Sequence, residues 1–389
     1  MKPFNIGVIG IGDISNVYLN NLKKYDIVNL LACASRGIEK ARKKAEEYDI
    51  QRPYASGQEL IDDPDVDIVL NLTSPAAHSL YNVAALKAGK HVYTEKPLGS
   101  DLESAREMIS LAAEKGLYIG CAPDTFLGGR LQTCRKIIDE GVIGEMTGAS
   151  AFCMYHGVET FHPNPTAFYK PGAGPLLDIG PYYMTALLSI LGPVKRCSAM
   201  AKMTYPSRTS LVGPNKGQVI AVEVDTHVIG NLEFANGALA MIGTSFDVWD
   251  SQLPRLEFYG TQGTLCIPDI DPLDGPNLFG GPLLVKTEKE YRWYSIPRPQ
   301  ELPDWTEATV EHQFNSITHA ENSRGIGLID MAYAIKNSRK PRASGDMALH
   351  ALEVMTRMLD SAKDGKFFDI ESTFTRPELL PVDFPRSEP

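Results

Sequence analysis

The chain has 389 residues and a net charge of −10; 43% of its residues are hydrophobic and 22% are charged. This length is more than one hydrophobic core usually organises, so it predicts two domains and excludes a small scaffold held by disulfides or a metal. The composition excludes a disordered chain. The acidic balance disfavours nucleic acid as a partner, because a phosphate backbone favours clustered Lys and Arg, so we expect a small-molecule ligand.

The amino terminus reaches a glycine-rich turn at Gly10 before an apolar run long enough for a signal peptide or a membrane span has formed. We therefore expect a cytoplasmic protein with no membrane contact. The six cysteines are scattered without a C-x-x-C pair, which favours reduced, buried thiols over a zinc or dithiol site.

In the first 123 residues, apolar runs alternate with stretches of strong helix formers. The runs are Phe4 to Ile9, Val28 to Ala34, Val66 to Thr73, His91 to Thr94 and Leu117 to Ala122. This alternation predicts an α/β domain over residues 1–123, with a doubly wound parallel sheet wrapped by helices.

The pattern changes after Pro123. A helix over residues 131–141 leads into two β-rich runs that flank the hairpin turn Ala235-Asn236-Gly237. Further helices are expected at residues 178–192, 326–338 and 346–365. Together they predict an α+β domain with a mostly antiparallel sheet over residues 124–378. The proline-containing residues 379–389 are expected to form a surface tail.

The stretch Gly10-Ile11-Gly12-Asp13-Ile14-Ser15 lies between the first strand and the first helix. In this context Gly10 permits a tight turn, and Gly12 lets backbone amides approach a pyrophosphate whose charge the helix amino terminus favours. Asp13 and Ile14 begin the helix, and Ser15 takes the place of a third glycine. The context predicts a dinucleotide site, although the same pattern alone is often only a turn.

In a dinucleotide site that binds a ribose without a 2′-phosphate, an acid commonly stands at the end of the second strand. Here the sequence at that place is Ala34-Ser35-Arg36. Arg36 could pair with a 2′-phosphate, and Ser35 could bind a 2′-hydroxyl. The remaining alternative is that Arg36 is an ordinary solvated residue. The residues therefore leave NAD and NADP open.

Two further motifs matter together. They are Glu95-Lys96-Pro97-Leu98, which follows the strand His91 to Thr94, and the glycine-rich stretch that leads into Asp178-Ile179-Gly180-Pro181-Tyr182. With the glycine turn, they occur in the order and spacing of the glucose-fructose oxidoreductase, inositol dehydrogenase and rhizopine catabolism (Gfo/Idh/MocA) family, which the chain resembles over nearly its whole length.

The resemblance implies an NAD(P)-binding Rossmann domain and a substrate domain with a large open sheet that commonly mediates homo-oligomerisation. It also implies an NAD(P)-dependent dehydrogenase or reductase that transfers a hydride between nicotinamide and a CH–OH carbon of a sugar, glycoside or cyclitol. Lys96 matches the lysine beside the nicotinamide, and Asp178 matches the acid that holds the substrate. Tyr182 stands where the family commonly has His, as in the subset that includes glucose-fructose oxidoreductase and dihydrodiol dehydrogenase.

The chemistry of these residues agrees with this assignment. Oxidising a secondary alcohol needs a base, and a free phenol with a pKa of about 10 is a poor one at neutral pH unless a nearby ammonium favours the phenolate. We therefore expect Lys96, Tyr182 and Asp178 to be catalytic. The structural alternatives are a solvated lysine, a core tyrosine in an apolar helix and a helix-capping aspartate.

Secondary candidates surround these residues. For the cofactor they are Thr73, Ser74, His78, Glu95 and Lys170, in addition to Gly10, Gly12, Asp13, Ile14, Ser35, Arg36 and Lys96. For the substrate they are Asp124, His156, His162, Tyr169 and Asp178. The resemblance places Asp124 near a position usually held by Asn, and the alternative is a turn-stabilising Asp. We expect no metal, because the histidines lack the spacing of a helical ligand pair.

Two other functions remain open at this point. One is a lyase or glycosidase that oxidises its substrate transiently with bound NAD and returns the hydride, so that the net reaction is redox-neutral. The other is a non-catalytic protein that senses a nucleotide.

Overall fold

A computed structural model describes residues 2–268, 278–287, 305–316 and 322–388. The chain divides into two compact units. The first unit comprises Met1–Leu127, Ala320–Leu352 and Asp383–Pro389, and the second comprises Gly128–His319 and Glu353–Val382. The division expected near residue 123 therefore lies close to the first observed one, but two later segments return to the first unit.

The helices of the described residues mostly begin without a side-chain cap, although Asp101 accepts a hydrogen bond from the Ser104 amide at the start of one of them. Their bounds are α1 Asp13–Leu22, α2 Ile38–Tyr48, α3 Gly57–Ile61, α4 Pro75–Lys87, α5 Leu102–Glu114, α6 Gly129–Asp139, α7 Pro175–Asp178, α8 Gly180–Leu191, α9 Ile326–Lys336 and α10 Gly345–Asp364. Short 3-10 helices lie at Thr125–Leu127, Val158–Thr160 and Pro165–Tyr169.

The first unit contains a six-stranded parallel sheet, as the alternating pattern predicts. Its strands are β1 Phe4–Ile9, β2 Val28–Ala34, β3 Arg52–Tyr54, β4 Ile68–Asn71, β5 His91–Thr94 and β6 Ile119–Cys121. The order β3-β2-β1-β4-β5-β6 reverses direction between β1 and β4, and ligands of such sheets bind at the carboxyl ends of the strands at this point. β3 has no apolar run and contains Pro53, which an edge strand tolerates.

The segment from residue 322 to 352 completes the first unit. α9 is largely buried, and Gly327 in it packs so closely that a Cβ atom there would lie 2.2 Å from the hydroxyl of Tyr93. Beyond it, the Cys121 amide donates a hydrogen bond of 3.1 Å to the Ala343 carbonyl. The sequence pattern identified α9 as a helix but did not show that it packs beside β6, because periodicity does not name a helix's partner.

The carboxyl-terminal segment also differs from expectation. Phe384 is fully buried against Tyr333, with ring centroids 5.6 Å apart, and Leu380 is only 3% exposed. Glu388 pairs with Arg339 at 3.2 Å and with Arg342 at 3.0 Å. Leu380, Phe384 and Glu388 therefore anchor the expected surface tail, while Val382 between them stays 46% exposed.

The second unit is built on a mixed sheet of nine described strands. All the strands of this unit are β7 Met146–Met154, β8 Val194–Lys202, β9 Ser207–Thr209, β10 Val219–Ala221, β11 His227–Phe234, β12 Leu239–Ser245, β13 Leu256–Gly260, β14 Gly263–Ile267, β15 Leu284–Thr287, β16 Thr306–Glu307 and β17 Phe368–Asp369. The order is β16-β15-β14-β13-β7-β12-β11-β8-β17, with β9 and β10 paired apart from it. Among the strands that the structure describes, only β12 and β7 run parallel, so the expected mostly antiparallel sheet is confirmed.

The two faces of this sheet differ. Every residue of α8 is buried, and the helix contacts β7. The opposite face leaves Met200, Leu239 and Met241 exposed at 82%, 63% and 48%. The hairpin expected at Ala235-Asn236-Gly237 joins β11 to β12. The second unit therefore presents an apolar sheet face to its surroundings.

Within the described ranges, no helix is both long and apolar enough to cross a membrane. All six cysteines are free thiols, and only Cys153 is partly exposed.

Candidate functional site

The two glycines of the turn after β1, Gly10 and Gly12, are needed for different reasons. Gly10 has a φ of +91°, and a Cβ atom there would lie 2.6 Å from the carbonyl carbon of Leu72. Only glycine accommodates both the left-handed backbone and this close approach. Gly12 is different, because a Cβ atom there would meet nothing within 4 Å. The space over Gly12 is therefore open to a ligand.

The amino terminus of α1 faces this open space without a side-chain cap. Gly12 is the N-cap residue and supplies no capping side chain, and the exposed Asp13 and half-buried Ile14 follow it. Ser15 is fully buried, and its hydroxyl donates a 2.6 Å hydrogen bond to the Gly12 carbonyl. First-turn amides without a side-chain cap favour an anion, so these residues fit the pyrophosphate of a dinucleotide.

The end of β2 would lie along the adenosine half of such a ligand. The Ser35 hydroxyl donates a 2.9 Å hydrogen bond to the Gly37 carbonyl, which fixes the turn before α2. Arg36 is exposed. Since no acid stands here, the turn is chemically compatible with a 2′-hydroxyl and with a 2′-phosphate.

The end of β4 is organised by Asn71. Its side-chain oxygen accepts hydrogen bonds from the Thr73 amide at 3.1 Å and from the Thr73 hydroxyl at 2.7 Å. Ser74 is exposed and is the N-cap residue of α4, again without a side-chain cap. A second uncapped helix start thus lies at the carboxyl edge of the sheet, beside the turn after β1.

His78 has a different role from the expected cofactor contact. Its ring is fully buried, with Nδ1 2.7 Å from the Pro97 carbonyl oxygen and Nε2 3.0 Å from the Thr73 carbonyl oxygen. A ring enclosed in this way ties the end of β4 to the turn after β5. We therefore assign His78 to the support of the site.

Lys96 lies at the carboxyl end of β5 and is half-buried. Its amide donates a 3.0 Å hydrogen bond to Glu95 Oε2, and Glu95 Oε1 accepts a 2.8 Å hydrogen bond from the hydroxyl of Tyr18. The peptide between Lys96 and Pro97 is cis. Burial raises the pKa of the Cys121 thiol, and the positive charge of Lys96 opposes that shift, so the ammonium lies near Cys121.

Asp124 also differs from the expected substrate contact. It is 1% exposed, and its Oδ2 accepts hydrogen bonds from the amides of Gly325 at 2.8 Å and Gly327 at 3.0 Å. Asp124 therefore binds the amino terminus of α9. It stabilises backbone amides, as the turn-stabilising alternative predicted, but those amides lie far away in the sequence. Burial raises the pKa of Asp124 to about 6, although the two amides oppose the shift.

In the second unit, Asp178 and Tyr182 lie four residues apart at the junction of α7 and α8. Ile179 between the helices keeps a right-handed backbone, with φ −97° and ψ −33°. Residues four apart on such a turn are neighbours, so both side chains lie on one face. Asp178 is half-buried and Tyr182 is buried, and the residue at the N-cap position of α8 is Ile179 and not Asp178.

The loop after β7 is anchored by buried charges. Tyr169 is fully buried and its hydroxyl donates to Glu159, so it is a core residue and not the expected substrate contact. Arg208 pairs with Glu159 at 3.0 Å and with Asp247, and all three side chains are at most 6% exposed. Lys170 pairs with Glu223 at the surface of this unit.

The two histidines of the loop lie apart from each other. His156 stacks on Trp249 with ring centroids 3.5 Å apart, and Trp249 is 79% exposed. His162 accepts a 3.0 Å hydrogen bond from the Asn164 amide and packs edge-on against Phe168. Among the residues that the structure describes, no three His, Cys, Asp or Glu side chains form a metal-binding group.

Comparison with known proteins identifies both units. The model of an oxidoreductase family with an NAD-binding Rossmann fold matches residues 4–122, and that of the GFO/IDH/MocA C-terminal domain matches residues 131–266. The chain belongs to the GFO/IDH/MocA oxidoreductase family. It is accordingly an NAD(P)-dependent oxidoreductase, and its first unit contains the family's NAD-binding domain.

Several members of this family can be compared with the chain directly. It is 27% identical to myo-inositol 2-dehydrogenase of Thermotoga maritima over 68% of this chain and 75% of that protein. It is 28% identical to trans-1,2-dihydrobenzene-1,2-diol dehydrogenase of Mus musculus over 66% and 72%. The fold matches levoglucosan dehydrogenase in complex with NADH, with a TM-score of 0.79, 19% identity and coverage of 95% and 100%.

The sequence patterns did not single out three residues that shape the sites of this GFO/IDH/MocA protein. Tyr18 holds Glu95 from α1, Arg208 holds the loop after β7, and Tyr155 lies close enough to Asp178 for its pKa to respond. Tyr155 directly precedes His156, one of the expected substrate residues. Tyr18 and Arg208 have no local signal, because their partners lie far away in the sequence.

Proposed function

We propose that this chain transfers a hydride between NAD or NADP and a carbon that carries a secondary alcohol or a ketone in a sugar, glycoside or cyclitol. Lys96 and Tyr182 are its catalytic pair, and Asp178 holds the substrate. The observation that carries the proposal is the placement of Lys96 at the carboxyl edge of the first sheet, the edge that also bears the glycine turn. The activities for which the two curated relatives are named support this substrate class.

Lys96 is suited to act on a ligand at this edge. Its backbone is held on one side by Glu95, which Tyr18 fixes, and on the other by Pro97, whose carbonyl lies against His78. A fixed backbone limits the region that the ammonium of Lys96 can reach, and a positive charge held at a reacting oxygen stabilises developing alkoxide character.

Tyr182 is the group that exchanges a proton with the substrate oxygen. Bound nicotinamide supplies the acceptor or donor of the hydride. During oxidation the phenolate of Tyr182 takes the hydroxyl proton, and during reduction the phenol returns it. A phenol needs a nearby positive charge to act as a base at neutral pH, and Lys96 is the group that we propose to supply it.

Asp178 is suited to orient the substrate. It precedes the N-cap residue of α8, lies on the same helical face as Tyr182 and is half-buried. A carboxylate accepts hydrogen bonds from sugar or cyclitol hydroxyls, and holding the reacting carbon in place contributes strongly to the rate.

We also propose that a second copy of the chain covers the open face of the second sheet. Met200, Leu239 and Met241 are exposed there, and contiguous apolar surface of this kind marks an interaction site. Light scattering that finds only monomers at micromolar concentration would contradict this part of the proposal.

The test of the function is a screen of sugars, glycosides and inositols with NAD and with NADP, followed by absorbance of the reduced nicotinamide. We expect turnover of at least one polyol and a preference for one cofactor. Retained nicotinamide that cycles without release of reduced cofactor would instead favour the redox-neutral lyase or glycosidase. Nucleotide-dependent partner binding without turnover of any polyol would contradict an enzymatic function.

A further inference from the structure

The hydroxyl of Tyr155 is a buried donor with no partner. Tyr155 follows the end of β7 directly, and in the described part of the chain no group forms a hydrogen bond with its hydroxyl oxygen. A buried polar group left unpaired costs about 1–3 kcal/mol, so buried hydroxyls nearly always have partners. An unpaired hydroxyl beside a proposed substrate site therefore points to a partner supplied by the ligand.

The direction of this hydroxyl is fixed by aromatic packing. The ring of Tyr155 lies against Phe246, with centroids 5.3 Å apart and planes at 59°. Phe161 packs against the same ring, with centroids 6.1 Å apart. A ring enclosed on two sides has little rotational freedom, so the hydroxyl is preorganised and loses little entropy when a ligand accepts its hydrogen bond.

Asp178 is a charged group that acts on the hydroxyl of Tyr155. Burial raises the pKa of Tyr155 well above its usual value, and the carboxylate of Asp178 raises it further. The geometry agrees, because the Tyr155 amide donates a 3.1 Å hydrogen bond to the Ser245 carbonyl at the end of β12, and α7, which ends at Asp178, contacts β12. No hydrogen bond joins the hydroxyl of Tyr155 to Asp178. Tyr155 therefore remains a neutral hydrogen-bond donor beside a carboxylate, and its hydroxyl does not donate to that carboxylate.

We propose that Tyr155 is a specificity-determining residue that, together with Asp178, selects a vicinal diol. One hydroxyl of the diol donates to the carboxylate of Asp178, and the adjacent hydroxyl accepts from the phenol of Tyr155. This inference rests on the proposed function and narrows its substrate class. A site built to bind a substrate hydroxyl rejects an analogue that lacks it, because its own buried donor is then left unpaired.

Tyr155→Phe tests the proposal, because it removes the hydroxyl and keeps the packed ring. Calorimetry on the NADH-loaded protein would measure the Kd of myo-inositol, D-glucose, D-xylose and their monodeoxy analogues. For the polyol that binds most tightly, we expect about a tenfold rise in Kd, the equivalent of one hydrogen bond, and no change for the analogue without the vicinal hydroxyl. Tyr205→Phe is the control, since Tyr205 is 40% exposed in the same unit.

A second measurement needs no variant. The wild-type protein should bind the same deoxy analogue about tenfold more weakly than the parent polyol. Equal Kd values for parent and analogue, or equal losses for both in Tyr155→Phe, would overturn the assignment. Polyol binding that depends on Tyr155 without any hydride transfer would overturn the proposed function alone, whereas turnover that is unaffected by Tyr155→Phe would overturn this inference alone.

Discussion

The two units of this oxidoreductase fix their functional side chains in different ways. In the first unit Gly10, Thr73 and Lys96 each lie just after a parallel strand, so the local backbone sets their positions. In the second unit Tyr155 follows the end of a strand, Asp178 ends a short helix and Arg208 lies in a separate hairpin. Candidate residues at strand ends can therefore be named from the sequence, whereas those assembled from distant elements can be named only in part.

The largest expected effect concerns the buried charges of the second unit. Arg208→Ala leaves the carboxylates of Glu159 and Asp247 buried without their cation, which should lower the free energy of unfolding by about 3–5 kcal/mol. Lys195→Ala is the control, because Lys195 pairs with Glu233 at an exposed position and should cost less than about 1 kcal/mol. Urea unfolding followed by circular dichroism measures both values. Equal losses would mean that the loop after β7 does not depend on Arg208.

A smaller effect is expected for Tyr182→Phe, which removes the proton-exchanging group without changing the packing of α8. We expect kcat to fall by roughly 100-fold while the midpoint of thermal unfolding stays unchanged. Tyr183→Phe is the matched control on the next position of the same helix. A fall in kcat of less than threefold would show that Tyr182 is a core residue and does not exchange a proton with the substrate.

Much of the first unit could be predicted from the sequence. The apolar runs gave β1, β2 and β5 with their exact bounds, and the glycine turn and Lys96 follow strands as expected. These features depend on neighbours in the chain, and short-range rules describe them. The roles of His78 and Asp124 could not be predicted, because their partners, Pro97 and the start of α9, are defined by tertiary packing.

The second unit was predictable in its fold class but less so in its site. The hairpin between β11 and β12 has a local turn signal, whereas Asp178 and Tyr182 were named from the resemblance to the family and stay predictions. His156, His162 and Tyr169 of the loop after β7 were also named from the sequence, which could not show that Tyr169 is buried in the core or that the charge of Asp178 acts on Tyr155. The orientation of a loop side chain depends on charges and rings contributed by other strands.

The next effect concerns the stability of the first unit and the buried carboxyl group of Asp124. Its pKa of about 6 lies above the usual Asp value, so protonation favours the folded state between pH 4 and 6. The wild type should therefore lose stability as the pH rises through this range, on the order of 2 kcal/mol more than Asp124→Asn does. Urea unfolding at pH 4, 5, 6 and 7 measures this difference. Parallel pH profiles would show that Asp124 titrates normally.

The smallest expected effect concerns Gly10 and Gly12, the two glycines of the turn after β1. Gly12→Ala adds a methyl group where the protein has open space, so the free energy of unfolding should stay within about 1 kcal/mol while the Kd of NADH rises about tenfold. Gly10→Ala is the matched variant and should cost about 1–3 kcal/mol of stability, because its backbone is left-handed and its Cβ atom meets Leu72. Fluorescence titration with NADH and urea unfolding measure the two effects. Unchanged NADH binding by Gly12→Ala would contradict the pyrophosphate site.

The central claim is that Lys96 acts in hydride transfer and not in nucleotide binding. The most direct test measures both quantities for Lys96→Ala, with Lys87→Ala, an exposed lysine of α4, as the control. We expect kcat to fall by about 100-fold or more, as for loss of a preorganised charge, while the Kd of NADH changes by less than about threefold. A variant that turns over the substrate at the wild-type rate, or that loses activity only because it no longer binds NADH, would contradict it.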